Sequence, residues 1–232
     1  MMPGIASNIP SYFVSWSGGK DSCLALFRTI QKYGKPQYLL TMLTEEGFRS
    51  RSHGLSRTVL SRQAHLLEIP IKFCAASWND YESVFIKALH DLKKESVEIG
   101  VFGDIKISDN LDWVAHRQWA DHVCHQTQLS VCEPLWEDHT VALLQGFFDL
   151  GFVAKIISVK ADLLSADYLG KILNKDLIIE FMEKGIDPAG EKGEYHTIVV
   201  DGPLFTAPLH LTEGERVLRQ GYWFLNVIQG EN

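Results

Sequence analysis

Five short apolar runs, at 11–16, 38–43, 69–75, 98–103 and 130–133, are separated by stretches with helical spacing near 21–33, 54–67, 79–95 and 111–128. This alternation constrains the fold more than any other feature of the chain. Strands interleaved with helices of this length need crossover connections, so they pair in parallel. The expected architecture is α/β, with a doubly wound, mostly parallel sheet covered by helices on both faces. The pattern changes at Pro134-Leu135-Trp136. Beyond it the sequence predicts a helix near 138–150, a strand near 152–159, a helical region over roughly 163–184, and strands near 194–200 and 222–228. Residues 1–133 are therefore expected to form the main α/β domain and residues 134–232 a smaller α+β part.

The first predicted strand runs straight into a glycine turn and a helix: Tyr12-Phe13-Val14-Ser15-Trp16-Ser17-Gly18-Gly19-Lys20-Asp21-Ser22. A lone Gly-Gly here would be only a tight βα turn. The full run has the parts of a phosphate cradle. Gly18 and Gly19 allow a sharp turn and let bare N–H groups approach an anion. The helix start adds its positive dipole end. Lys20 adds a full charge, and Ser17 and Ser22 add hydroxyl donors. Ser17, Gly18, Gly19, Lys20, Asp21 and Ser22 are thus the expected phosphate-binding residues. The spacing of a Walker A loop is absent, and so is that of a dinucleotide fingerprint.

In a doubly wound sheet, ligands bind beyond the carboxyl ends of the strands. The fourth strand then delivers Gly103 and Asp104 to the edge that carries the glycine loop, and the second delivers Thr44, Glu45 and Glu46. Asp104 is a candidate for magnesium or substrate; as a turn former it could equally cap the local turn.

Composition narrows the function classes. The 232 residues are 46% hydrophobic, enough for a substantial core. No apolar run approaches the ~20 residues that span a bilayer. The first residues lack the pattern of a secretion signal, so a cytoplasmic location is expected. A net charge of -7 argues against an extensive nucleic-acid surface, while leaving room for a local basic site of Lys20, Arg49, Arg51 and Arg57. The four cysteines, Cys23, Cys74, Cys124 and Cys132, include no CxxC pair, which speaks against a structural zinc or a redox dithiol. His122 and His125 share a helix face from which Cys124 points away, so they are read as solvated or satisfied rather than metal ligands.

A second polar concentration lies at Gly190-Glu191-Lys192-Gly193-Glu194-Tyr195-His196-Thr197, just before an apolar strand and an Asp201-Gly202-Pro203 turn. Glu191 and Glu194 are suited to a cation, and His196 to proton transfer near neutral pH. Alone, this segment is a polar turn entering a strand. Its combination with the first loop is more specific.

The Ser-Gly-Gly-Lys-Asp-Ser run resembles the PP-loop of the ATP pyrophosphatases, the adenine nucleotide alpha hydrolase-like group. With Gly103-Asp104-Ile105, Arg117-Gln118-Trp119, Pro134-Leu135-Trp136 and the Gly-Glu-Tyr-His-Thr tail, the chain resembles the short form of the diphthine–ammonia ligase (diphthamide synthetase) family over nearly its whole length. The resemblance implies a PP-loop ATP-binding domain at 1–133 and a substrate-binding part at 134–232. It implies an ATP-dependent C–N ligase of diphthamide biosynthesis. Such an enzyme activates a carboxylate as an acyl adenylate, releases AMP and pyrophosphate, and amidates with ammonium. ATP, ammonium and a carboxylate, diphthine on elongation factor 2, are the implied partners, with magnesium expected and a homo-oligomer compatible. Lys20, Asp21, Glu194 and His196 are the expected catalytic residues. Gly103, Asp104, Glu191, Glu194, Tyr195, His196 and Thr197 are expected at the substrate, with Asp21 and Asp104 as magnesium ligands. The alternatives are a PP-loop enzyme acting on tRNA or another small carboxylate, and a non-catalytic ATP- or AMP-binding module.

Overall fold

The computed structural model describes residues 9–106 and 111–230. Its first half alternates as the sequence predicts: β1 (Tyr12–Ser15), α1 (Lys20–Tyr33), β2 (Tyr38–Leu43), α2 (Arg57–Leu67), β3 (Ile71–Ala75), α3 (Tyr81–Lys94), β4 (Ile99–Val101), α4 (Leu111–Gln126) and β5 (Ser130–Cys132). The five strands are all parallel, in the order β3-β2-β1-β4-β5. The order reverses between β1 and β4, so a crevice opens beyond their carboxyl ends.

Strand periodicity sorts the side chains of β1 onto two faces. Tyr12 and Val14 join a core with Leu24, Leu26, Val59 and Leu60, from α1 and α2. Phe13 joins a second core with Phe85, Leu89 and Leu92 of α3 and Val123 and Cys124 of α4. Helices thus cover both faces, the physical content of a doubly wound sheet. Cys124 is buried while His122 and His125 face solvent. Among the described residues no group of three His, Cys, Asp or Glu is arranged to hold a metal, and no helix is long and apolar enough to cross a membrane.

The second half holds α5 (Thr140–Asp149), β6 (Val153–Lys160), α6 (Lys175–Glu183), β7 (Tyr195–Asp201), β8 (Leu211–Arg219) and β9 (Tyr222–Gln229). Its four strands form an antiparallel sheet in the order β7-β6-β9-β8. Apolar residues of this sheet, among them Ile156, Val159, Val199 and Leu225, belong to the same core as α1 and α2. That continuity holds β7 against the start of α1.

Two expectations need correction here. The helical region at 163–184 is not continuous: a single tight turn at Ala166–Tyr168 and a bridge from Lys155 to Ile172 precede α6. Strand β8 has no counterpart in the sequence reading. It is an edge strand with mostly exposed side chains, so it lacks an apolar alternation. Its hairpin turn is legible in retrospect: Gln220 and Gly221 both take positive φ, 49° and 81°, as a two-residue connection demands.

Candidate functional site

The glycine loop leaves the carboxyl end of β1 at the centre of the parallel sheet. Gly18 takes a φ of 82°, and a β-carbon there would stand 2.8 Å from Gln63 Oε1. Gly19 serves as the N-cap of α1, which begins at Lys20, one residue earlier than the sequence suggests. Within the loop, Ser17 Oγ accepts from Gly19 N at 3.2 Å and lies 3.1 Å from Ser22 Oγ, while Ser22 Oγ donates to Gly19 O at 3.1 Å. The serines therefore brace the loop as well as lining it.

β7 clamps this loop from the second half of the chain. Val199 N donates to Gly18 O at 2.9 Å, and Lys20 N donates to Thr197 Oγ1 at 3.1 Å. Gln63 of α2, fully buried, completes the clamp. Its Nε2 donates to Gly18 O at 3.0 Å and to Val199 O at 2.8 Å, and its Oε1 accepts from Trp16 Nε1 at 3.0 Å. Every polar atom that the amide aims at the loop is satisfied. Sequence reasoning missed Gln63, although one signal was available. It occupies the same helical stripe as Val59, Leu60, Ala64 and Leu67, where an apolar residue is expected.

A cleft of about 620 Å³ opens at this junction, within the range of small-molecule sites. Ser17, Lys20, Asp21 and Ser22 line it from the glycine loop. Gly103 and Asp104 line it from the end of β4, and Glu191, Tyr195, His196 and Thr197 from the second loop. The two loops and the β4 end, 81 or more residues apart in sequence, thus meet on one cavity. Gly103 must be bare: a β-carbon there would stand 2.9 Å from the main chain of Asp21 and Ser22. That close approach brings Asp104 to the start of α1.

Other expected residues fall elsewhere. Thr44, Glu45 and Glu46 do not line the cleft; β2 contributes Leu40, Thr41 and Met42 instead. Thr44 O accepts from Gly47 N in a turn beyond the strand. Of the three arginines considered, only Arg51 lines the cleft. Arg49 donates to Gly54 O, and Arg57 stacks on Phe73. Glu194 is 3% exposed and does not line the cleft. Its Oε1 accepts from Asp187 N at 3.1 Å and its Oε2 from Lys192 N at 2.9 Å. The carboxylate ties the 187–194 loop to itself, and Glu191 is the acid that this loop offers to the cleft.

The electrostatics centre on Lys20, which is buried with its Nζ 2.8 Å from Asp21 and 3.7 Å from Glu191. Burial alone would lower its pKa, but Asp21, Tyr195 and Glu191 outweigh that and raise it, so the ammonium stays charged. Glu191 is pushed well above the usual carboxylate range by burial and by Asp21, against the pull of Lys20. Asp104 is raised by burial, an effect that His116 partly offsets. His196 is lowered to about 4, first by burial and then by Lys20. The imidazole is therefore neutral at physiological pH.

The far wall is aromatic. Trp78, Tyr81, Phe102 and Trp119 line it, and the Arg51 guanidinium lies 4.2 Å over the Trp78 ring. Sequence reasoning singled out Trp119 only as part of a motif and did not mark Trp78, Tyr81 or Phe102.

Fold and site together define a class: an α/β protein with a glycine loop at the switch point of its sheet, its cleft completed by a second loop from a C-terminal antiparallel sheet. Comparison with known proteins gives the particular family. The model of the diphthamide synthase N-terminal domain matches residues 11–131, and that of the diphthamide synthase C-terminal domain matches residues 139–230. The chain belongs to the diphthamide synthase family. Proteins named diphthine–ammonia ligase are similar to it. The Mus musculus protein is 31% identical and the Rattus norvegicus protein 27%, each match covering 91% of this chain and 86% of the relative. The Schizosaccharomyces pombe protein is 28% identical over 87% of this chain, but the chain spans only 36% of that relative's length. A Methanocaldococcus jannaschii crystal structure, described as a predicted subunit of tRNA methyltransferase, aligns over 83% of this chain and 97% of its own, with 18% identity and a TM-score of 0.46.

Proposed function

We propose that this protein is an AMP-forming amide ligase that activates a carboxylate with ATP and amidates it with ammonium, the acceptor being diphthine as in the names of its relatives. The observation that carries the reading is the direct clamp between the two loops, Lys20 N to Thr197 Oγ1 and Val199 N to Gly18 O, over one shared cleft. A passive nucleotide-binding module has no need of an acid, an imidazole and a buried lysine brought from two halves of the chain to one cavity.

The chemistry sets the roles. A carboxylate is a poor electrophile because oxide is a poor leaving group. One carboxylate oxygen attacks the α-phosphorus of ATP, and the bond to the β-phosphate oxygen breaks, giving acyl adenylate and pyrophosphate. Ammonia then attacks the acyl carbon, AMP leaves with the bridging oxygen, and one proton is lost from nitrogen. Lys20, the N-terminal turn of α1 and the hydroxyls of Ser17 and Ser22 stabilise the charge that develops on the departing pyrophosphate. Lys20 remains charged while doing so because Asp21 flanks it at 2.8 Å. His196 is neutral and so has the free lone pair that accepting a proton requires. A bound polyphosphate offsets the field of Lys20 and strengthens this base.

Magnesium fits the residues present. The ion keeps several waters and takes one or two carboxylates together with phosphate oxygens. Asp21 and Asp104 line the cleft beside the cradle and would hold it. Bound there, it would neutralise phosphate charge.

The test is product analysis after incubation with ATP, magnesium, ammonium and elongation factor 2 carrying diphthine. AMP, pyrophosphate and amidated acceptor are expected in equal amounts. ADP and phosphate would refute α-phosphate activation, and amidation without ATP cleavage would refute the ligase reading.

A further inference from the structure

His53 stands at the cradle with no motif to announce it. The loop between β2 and α2 is folded back by short bridges, Leu43 to Ser50 and Arg49 to Ser56, and by the bond from Gly54 N to Ser50 O at 3.0 Å. This lays the His53 imidazole on the glycine loop. A β-carbon on Gly19 would stand 2.7 Å from His53 Nε2. Gly19 is thus bare for a reason beyond the turn, since any side chain would displace this ring. The His196 ring lies against it, with centroids 4.6 Å apart, and both imidazoles line the cleft with Lys20.

The protonation pattern follows from the surroundings. His53 Nδ1 is closed off from solvent and has no hydrogen-bond partner among the described residues. A buried N–H without an acceptor is costly, so the tautomer that carries its proton on Nε2 is favoured. Burial, then His196, then Lys20 hold His53 well below the ordinary histidine value, so the ring is neutral. A neutral donor beside a buried ammonium adds a hydrogen bond to an anion without adding repulsion between cations.

We propose that His53 is a ligand of the pyrophosphate portion of the nucleotide, donating through Nε2–H beside Gly19 and Lys20. The proposal rests on the reading that ATP places its phosphates on the 17–22 loop. Calorimetric titration of the full chain with ATP, AMP and inorganic pyrophosphate tests it. Losing a hydrogen bond to a charged group, worth roughly 1.5–3 kcal/mol, corresponds to about a 10- to 150-fold loss of affinity. His53→Leu is therefore expected to weaken ATP and pyrophosphate by at least about tenfold and to leave AMP within about twofold. His53→Gln, whose amide nitrogen reaches the position of Nε2, is expected to recover most of the loss. Equal weakening for all three ligands, or none, would overturn the proposal. Should His53→Leu fail to fold, the imidazole nitrogen resonances of the unsubstituted protein decide. Those of His53 must move on saturation with pyrophosphate, and their constancy would overturn it. An unsubstituted chain that binds neither ATP nor pyrophosphate would instead refute the cradle reading, and the proposal with it.

Discussion

Replacing Gln63 by leucine probes the clamp that joins the two halves of the site. The substitution keeps the volume of a fully buried side chain and removes three hydrogen bonds, to Gly18 O, Val199 O and from Trp16 Nε1. Gly18 O keeps Val199 N as a donor. Trp16 Nε1 and Val199 O each lose the bond to Gln63, and Trp16 is itself buried. An unsatisfied buried group costs about 1–3 kcal/mol, so a loss of about 3 kcal/mol in unfolding free energy is expected. That is a large share of the roughly 5–15 kcal/mol typical of a folded domain. Urea unfolding at pH 7.5, followed by tryptophan fluorescence, measures it. ATP affinity should fall in the same variant, because the loop is no longer held to β7. A loss under about 1 kcal/mol with unchanged ATP affinity would show that the clamp does not organise the site.

Three further outcomes follow from the geometry. Lys20→Met should leave the fold intact and abolish turnover with ATP, since it removes the buried charge flanked by Asp21 and Glu191; unchanged kinetics would remove the cradle assignment. Glu194→Gln should destabilise the 187–194 loop by about 2 kcal/mol, as one of two charge-assisted bonds becomes a clash between donors. Hydrogen exchange should speed up across that loop, whereas Glu191→Gln should change activity without changing exchange there. Glu133 is pushed up to about 7, chiefly by burial and then by Asp104, with Arg117 opposing. Its folded value lies above its unfolded value near 4.5, so the folded state binds the extra proton and loses stability as pH rises from about 4.5 to 7. Glu133→Gln should therefore gain on the wild type by about 1–2 kcal/mol at pH 8 and show little difference at pH 4.5. The opposite pH trend would refute the assignment.

The parallel sheet was legible because its central strands, β2, β1 and β4, are largely buried, because all five strands read as apolar runs, and because a glycine turn marks the end of β1. Strand β8 was not legible, since an edge strand that buries little carries no alternating pattern. The same division holds at the site. Lys20, Asp104 and Glu191 drew attention as charged residues beside glycines near strand ends, and His196 as an imidazole in a polar run entering a strand. Glu194 looked like one of them, but sequence gives the acid and not the direction in which it points. Only the folded loop shows its two oxygens turned onto backbone N–H groups. Gln63 and His53 were missed for a related reason. Each draws its meaning from partners distant in sequence, Val199 for one and Gly19 and His196 for the other. A glutamine on a helix and a histidine in a polar loop read by themselves as solvated residues.

The activation of the acceptor through the α-phosphate is tested most directly by isotope transfer. The acceptor carboxylate is labelled with oxygen-18 and incubated with ATP, magnesium and ammonium, and the products are analysed by mass spectrometry. Attack by the carboxylate on the α-phosphorus predicts one labelled oxygen in AMP for each amide formed, and none in pyrophosphate. Amide formation with unlabelled AMP, or with label in inorganic phosphate beside ADP, would contradict it.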